Sequence, residues 1–411
     1  MINILEMINI HRLIRHIEEL SSIGKNDDGG VNRFSYTKEE QLANELVKQY
    51  MEEAGLTVHF DAVGNLIGSQ KGTIDAPAML LGSHIDTVPN GGKYDGSLGV
   101  LTAIEVIHSL KENKVQLKHP VKVIAFKDEE GTRFGFGMIG SRAVAGTLTE
   151  VDLTRVDQQG VSIEQAMKEF GYKKERLQSA KIDNVKAYVE VHIEQGKVLE
   201  NQDAALGNVT GIAGPLWLQF TLTGLSEHAG ATPMNQRQDA LVGASLIIAE
   251  AEKIAKEYPT AVATVGKLSV KPNGVNVIPG EVAWTMDIRD IHEDIRDELE
   301  QRIRQFAETT ATERRLGLEI SVLQRVAPVR CDEKIQEVIR DSIQEIAEPV
   351  VSLPSGAGHD GMQFKDRFPV GMIFVRSKDG ISHNPKEFSS KQDIGKAANV
   401  LYKSILKLDA N

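Results

Sequence analysis

Cysteine is nearly absent from this chain: 411 residues contain one, Cys331. A single thiol excludes an internal disulfide and a thiolate metal cluster, and it fits a reducing compartment. Long apolar runs are missing too, since none approaches the ~20 residues that span a bilayer. The start, MINILEMINIHRLIRHIEEL, lacks the basic region, continuous apolar core and small-residue cleavage site of a signal peptide, and its spacing predicts a helix. There is no basic stripe. A net charge of −11 argues against nucleic acid or an anionic membrane surface as partner. The expectation is a folded, cytoplasmic protein whose length exceeds that of one ordinary core, so two domains are expected.

What is present alternates between buried strands and helices. KEEQLANELVKQYMEEA is an amphipathic helix, with Thr37 and Glu40 in capping-box spacing and Gly55 as its stop. LTVHFDAVGNLIG reads as two strands around a Val63-Gly64-Asn65 turn. AMLLGSHID and VKVIAFKDEE read as buried strands separated by the helix SLGVLTAIEVIHSLKENK, and KAYVEVHIEQG reads as another strand. Ser162 and Gln165 are spaced as a capping box. This pattern predicts an α/β domain with a largely parallel mixed sheet and helices on both faces.

After Gly207 the texture changes. NVTGIAGPLW supplies glycines and a proline suited to a hinge, and the order then runs strand, helix, strand, strand, helix, strand to LEISVLQRV. That β-α-β-β-α-β order predicts an inserted ferredoxin-like α+β domain at 212–327. From Val329 the strand-helix texture resumes, with GMIFVRS as a strand and a closing helix from Lys391. The first domain is therefore discontinuous, 1–211 and 328–411.

Four apolar strands of the first domain lead into metal-ligand types: MLL before His84, VIAF before Asp128-Glu129-Glu130, VEV before His192, and MIFV before His383. In open α/β sheets the functional crevice lies beyond the carboxyl ends of the strands, so these residues converge. Asp86, in H-x-D spacing, is placed to accept a bond from the second ring nitrogen of His84 and fix its tautomer. Asp95 alone reads as a turn residue or helix cap, and beside His84 as a bridging ligand. Three imidazoles and two carboxylates suit zinc, manganese, cobalt or nickel better than calcium or an iron–sulfur cluster. Five ligands exceed one open catalytic zinc and suit two divalent ions ~3.5–4 Å apart sharing a carboxylate. One of the three acids at 128–130 must stay unligated to act as base. Neighbouring strand residues point to opposite faces, so the chain must bend there, as Gly131 permits. The pattern does not assign their roles, and the third acid reads equally as a solvated rim charge. His11, His16, His59, His108, His119 and His292 have no such companions and read as surface or core residues.

A second polar cluster lies in the inserted domain: Glu227-His228 after WLQFTLTG, Asn276 in a loop between strands, and Arg289 at the end of AWTMDIR. By themselves His228 reads as a loop hydrogen-bonder and Arg289 as the ion-pair partner of Asp287 or Asp290.

Taken in order, GSHIDTVPNGGKYDGSLGV, DEEGTRFG, VHIEQG, GLSEHAGATPM, NGVNVIPG, SGAGHDG and SHNPKE resemble the motifs of the hydantoinase/carbamoylase branch of the M20 metallopeptidase clan. That branch contains N-carbamoyl-L-amino acid hydrolases, β-ureidopropionases and allantoate amidohydrolases. The resemblance spans nearly the whole chain. It implies that Asp95 bridges two metal ions, with His84 and His192 completing one site, Glu130 and His383 the other, and Glu129 as general base. Most relatives outside the branch carry a carboxylate where His192 stands, which favours this branch over peptide-bond hydrolases. The resemblance also implies a homodimer through 212–327, in which His228 reaches the partner's active site to stabilise an oxyanion. Asn276 and Arg289 would hold a substrate carboxylate, for which an Arg fork is suited. Gln195 would bind the ureido group, and Gly358 and His359 would line the pocket.

The reaction it implies converts an N-carbamoyl-L-amino acid to the amino acid, ammonia and carbon dioxide. The nearest alternative is allantoate amidohydrolase, with the same ureido chemistry on a larger substrate. A dipeptidase or aminoacylase of the clan is weaker. A non-enzymatic binding protein predicts loss of ligands or base, whereas His84, Asp95, Glu129, Glu130, His192 and His383 are all present.

Overall fold

The computed structural model describes residues 7–410. The first six residues of the N-terminal helical stretch lie outside the described residues, and the helix itself is Ile10–Ser21. The chain divides into two compact units: Met1–Thr210, Cys331–Leu353 and His359–Asn411 form one, and Gly211–Arg330 with Pro354–Gly358 the other. The sequence boundaries put Gly358 in the first domain, but it belongs with the second. Arg289 Nη1 donates to Gly356 O at 2.7 Å and Ala213 N to Ser355 O at 2.9 Å, which ties that short segment there.

In chain order the strands are β1 (Thr57–Phe60), β2 (Leu66–Gln70), β3 (Ala78–His84), β4 (Val121–Phe126), β5 (Val185–Ile193), β6 (Leu206–Ile212), β7 (Gly214–Thr223), β8 (Val262–Lys271), β9 (Glu281–Asp290), β10 (Gly317–Arg325), β11 (Val329–Arg330), β12 (Val351–Ser355) and β13 (Val370–Val375). The larger sheet has the order β1-β2-β4-β3-β5-β13-β6-β11, with β12 also on β6. Its centre, β4-β3-β5-β13, is parallel, whereas β1-β2, β2-β4, β13-β6 and β6-β11 are antiparallel.

The central strands are buried along most of their length because both faces are covered. Met79 and Leu81 of β3, Val121 and Val123 of β4, and Val189 and Val191 of β5 enter one core, shared with the helices Ile10–Ser21, Ser97–Glu112 and Lys391–Ala410. The intervening Leu80, Ile124, Phe126 and Tyr188 enter another with Phe364. This is the period of two at work on each strand. Truncating Leu80, fully buried, to Ala removes packing worth about 2–5 kcal/mol.

In NVTGIAGPLW only Ala213 separates β6 from β7, and within the second unit the ladder pairs Gly214 with Asp290 and Pro215 with Arg289. One local expectation is corrected. The Thr37 box is half formed. Thr37 Oγ1 accepts from Glu40 N at 3.3 Å, but the Glu40 carboxylate takes Tyr36 N at 2.7 Å and the buried Lys127 ammonium at 2.6 Å instead. The box at Ser162 and Gln165 is complete.

The second unit runs β7, helix Ala240–Ala255, β8, β9, helix Glu293–Glu313, β10, and its sheet has the antiparallel order β10-β7-β9-β8. Burial alternates along β9, and Val282, Trp284, Met286 and Ile288 join Leu216, Leu218, Phe220 and Leu222 of β7 beneath the two helices. Trp284 stacks on Phe220 with centroids 5.0 Å apart. Among the described residues no helix is long and apolar enough to cross a membrane.

Candidate metal centre

The four parallel strands end on one edge of the sheet, and their last residues or following loops carry the candidate ligands. His84 closes β3 and His192 is the penultimate residue of β5. After β4, Asp128 (φ 56°) and Gly131 (φ 63°) bracket Glu129 and Glu130 with left-handed backbone. The bend expected at Gly131 thus begins already at Asp128. His383 is not at a strand end: it lies beyond the short turn Lys378–Gly380 that follows β13, itself at φ 53°.

Asp95 sits at the centre. Its Oδ1 is 3.1 Å from His192 Nε2 and 4.0 Å from His84 Nε2, and its Oδ2 is 3.1 Å from His383 Nε2. His383 Nε2 is also 3.5 Å from Glu130 Oε1, and His84 Nε2 is 3.9 Å from Glu129 Oε2. Gly96 lets these groups close up. It has φ 63°, and a Cβ there would come within 2.4 Å of the His84 ring.

Among the described residues four sets of donors are close enough to hold an ion: His84–Asp95–His192, Asp95–Glu130–His383, His84–Glu129–Glu130 and Glu190–His192–His359. The first two share Asp95. Metal fits this site chemically, because His192 Nε2 is buried and faces Asp95 Oδ1 without a well-directed hydrogen bond to any of the described residues, while its Nδ1 lies 2.9 Å from Ile193 O. The crowded acids fit it as well. Burial pushes Glu130 up to about 7, with the Asp95 charge adding to the shift. Burial likewise raises Glu129 well above the ordinary carboxylate range, reinforced by Glu130, Asp360 and Asp86 and opposed by His84.

The supporting contacts differ from the sequence reading at several points. His84 Nδ1 faces the Asp86 main-chain oxygen at 3.1 Å, closer than the carboxylate at 3.6 Å. The Asp86 carboxylate instead accepts Glu129 N and Glu130 N, both at 3.1 Å, and so holds the acidic turn. Asp128 is no rim charge: it is 1% exposed, and burial raises its carboxyl well above the usual range, with Asp86 and Glu40 adding. Gln195 (φ 58°) donates from Nε2 to Asp95 Oδ2 and Ser382 Oγ at 3.1 and 3.2 Å, leaving its buried Oε1 without a hydrogen-bond partner among the described residues. His359 is buried edge-on to His192 with centroids 4.4 Å apart.

Sequence reasoning missed Glu190, although a residue two before His192 shares its strand face. Glu190 is buried and accepts Ser83 Oγ at 2.6 Å and Tyr188 OH at 2.9 Å. It also missed Arg33, fully buried, which donates to Ile85 O at 2.6 Å, Leu20 O at 3.0 Å and Ser97 Oγ at 3.0 Å. Arg33 therefore ties down both ends of the loop from His84 to Asp95. Nothing in the spacing around Arg33 signals that role.

In the second unit, His228 and Asn276 are brought together, since Ala229 N donates to Asn276 O at 3.0 Å and His228 bridges to Val277. His228 Nδ1 accepts Gly230 N at 3.1 Å and Ala231 N at 3.2 Å. A neutral ring therefore carries its proton on Nε2, where it is a donor. Arg289 grips Asp287 with Nε and Nη2, the latter at 2.8 Å, which is the ion-pair alternative; Asp290 instead accepts Thr260 Oγ1 and His292 N. Gly358 lies in the short segment Pro354–Gly358 of this unit.

Imidazoles and carboxylates gathered at the carboxyl edge of a parallel sheet, with a buried acid beside them, define the class of metal-dependent hydrolases. A model of peptidase family M20/M25/M40 matches residues 80–407, and the chain belongs to that family. It is 49% identical over 405 residues to an N-carbamoyl-L-amino acid amidohydrolase of Geobacillus stearothermophilus, covering 98% of this chain and 99% of that one. It is 38% identical to an allantoate amidohydrolase of Bacillus subtilis, covering 96% of each. A solved amidase of the hydantoinase/carbamoylase family from Burkholderia multivorans superposes with TM-score 0.92 at 34% identity, covering 98% of both chains.

Proposed function

We propose that this protein hydrolyses the terminal ureido C–N bond of N-carbamoyl-L-amino acids, giving the amino acid, ammonia and carbon dioxide. The observation that carries the proposal is Asp95 shared between two donor groups, His84–Asp95–His192 and Asp95–Glu130–His383, with the acid Glu129 beside them. In this reading the two groups hold two divalent ions, manganese, cobalt, zinc or nickel. When bound, the ions make an attacking water more acidic and polarise the ureido carbonyl.

The chain's own groups then divide the remaining work. Glu129 takes a proton from the attacking water as the oxygen adds to the ureido carbon. It then delivers that proton to the departing nitrogen, which leaves as ammonia. The carbamate left behind loses carbon dioxide to give the amine. Gln195 Oε1 is a buried acceptor without a partner among the described residues, suited to the terminal ureido NH2. An analogue with a methyl group there leaves the acceptor unpaired and is rejected.

The second unit acts in this proposal as a ferredoxin-like lid and dimerisation domain, roughly 212–327. Strand β8 is an open sheet edge that exposes Val262 and Leu268, and the helix Ala240–Ala255 beside it exposes Val242 and Leu246. Such an edge invites pairing with a second copy. His228, with Nε2 as its donor, would stabilise the developing oxyanion in the partner's site, while Asn276 and Arg289 hold the substrate carboxylate and Gly358 and His359 line the pocket. A cytoplasmic location completes the proposal, in keeping with one buried, unpaired cysteine.

The test is ammonia release from a panel of N-carbamoyl amino acids, allantoate and dipeptides with manganese present. Release from the N-carbamoyl-L-amino acids is expected. Release from allantoate alone moves the protein to the alternative reading, and cleavage of dipeptides instead of either ureido compound overturns the proposal.

A further inference from the structure

Glu387 belongs to the SHNPKE stretch, four residues past His383, and no step above uses it. It is 4% exposed. Its Oε1 accepts the main-chain N–H groups of Tyr94 at 2.8 Å and Asp95 at 3.1 Å, and its Oε2 accepts Ser382 Oγ at 3.0 Å. Ser382 Oγ in turn lies 3.3 Å from Asp95 Oδ2. One carboxylate thus joins the backbone of Asp95 to the loop that carries His383, across nearly the length of the chain.

The loop itself is anchored. Lys378 N donates to Phe388 O at 2.9 Å, Ser389 Oγ to Arg376 O at 2.8 Å, and Glu387 N to Asn384 O at 3.0 Å. The other side is shaped to receive it: at Gly92 a Cβ would stand 2.2 Å from the Glu387 carboxylate. A buried carboxylate beside another acid is costly unless its bonds are made and the local charge is balanced. Here three donors meet it, and cations at Asp95 would balance the charge.

We propose that Glu387 is a positioning residue that sets the direction of the Asp95 carboxylate and its separation from His383, and thereby the affinity of the centre for metal. The inference rests on the reading of Asp95 as a shared metal ligand. Outer partners of metal ligands change affinity by about 10- to 100-fold when removed.

The experiment titrates manganese into the metal-stripped, full-length protein and follows thermal unfolding of the same stripped samples. Glu387→Ala is expected to weaken manganese binding by about 10- to 100-fold with little change in the unfolding midpoint without metal. Glu387→Gln, whose amide oxygen can still accept both N–H groups, is expected to stay within about threefold of the unsubstituted protein. Gly92→Ala, which crowds the carboxylate without removing it, is expected to weaken binding as Glu387→Ala does and serves if that variant does not fold. Unchanged affinity in Glu387→Ala or Gly92→Ala, or a loss in Glu387→Gln equal to that in Glu387→Ala, overturns the inference. Asp95→Asn separates the two ideas: if it binds manganese normally, the shared-ligand reading itself fails. If it loses the metal while Glu387→Ala keeps it, only the role of Glu387 fails.

Discussion

The two polar clusters of this protein are built in opposite ways. In the first unit every candidate ligand except His383 is at most slightly exposed; His84, Glu130 and His192 sit on or just past a buried strand and Asp95 just before a buried helix, braced by Arg33, Asp86, Glu190 and Glu387. In the second unit His228 and Asn276 are exposed and loop-borne, and their bracing is mostly main chain to main chain. The first arrangement suits groups that must hold a fixed distance to an ion. The second suits groups that meet a ligand or a partner from outside.

The sharpest way to break this contrast is to remove Glu129, the proposed base. Glu129→Gln is expected to lower kcat by about 10²–10⁴-fold while bound metal per subunit, measured by elemental analysis, is unchanged. A loss of metal of the same order would make Glu129 a ligand and erase the distinction between the acids.

Next in size is His228→Ala, expected to cost about 10²–10³-fold in kcat with KM little altered. Mixing Glu129→Ala chains with His228→Ala chains tests whether it acts across a dimer. Activity should reappear, because one site in a mixed dimer has both residues. No recovery after confirmed subunit exchange would return His228 to its own chain or to a loop role.

Arg289→Ala is expected to raise KM by roughly 10- to 100-fold, the range of a hydrogen bond to a charged group, leaving metal content intact. Arg289 already grips Asp287, so Asp287→Asn sharpens the point. Freed of that partner, Arg289 should bind the substrate carboxylate more tightly and lower KM, and an unchanged KM in both variants would leave Arg289 purely structural.

The smallest effect concerns pH and stability away from both clusters. Burial holds His16 down at about 4, with Arg15, Arg12 and His108 adding and Glu19 opposing, and its ring stacks on Tyr50 at 3.7 Å. Between that value and the ordinary 6.5 the unfolded chain binds the extra proton. The contribution is therefore complete above pH 6.5 and is lost as pH falls towards 4. Unfolding midpoints of His16→Phe between pH 4 and 7 should depend less on pH than those of the unsubstituted protein. Parallel profiles would remove His16 from the account.

By itself the sequence determined where the metal-ligand types stand. Apolar runs such as MLL, VIAF and VEV make parallel strands, parallel strands end on one edge, and whatever follows them meets there. His84, the acids at 128–130 and His192 were legible as candidate ligands for that reason, as was the element order of the second unit from its alternating apolar residues, whereas Asp95 and His383 lie in loops and were read from their neighbours and the family motifs. Only the tertiary structure decided how these groups are held. Asp86 takes two amides of the acidic turn, Asp128 points inward, Arg33 ties the His84 loop to the helix start, and Glu387 clasps Asp95. Apart from the burial of Asp128, these are side-chain bonds to groups far away in the chain, most of them main-chain groups. Such bonds have no periodicity and no fixed spacing, so they exist only once the sheet has brought the segments together.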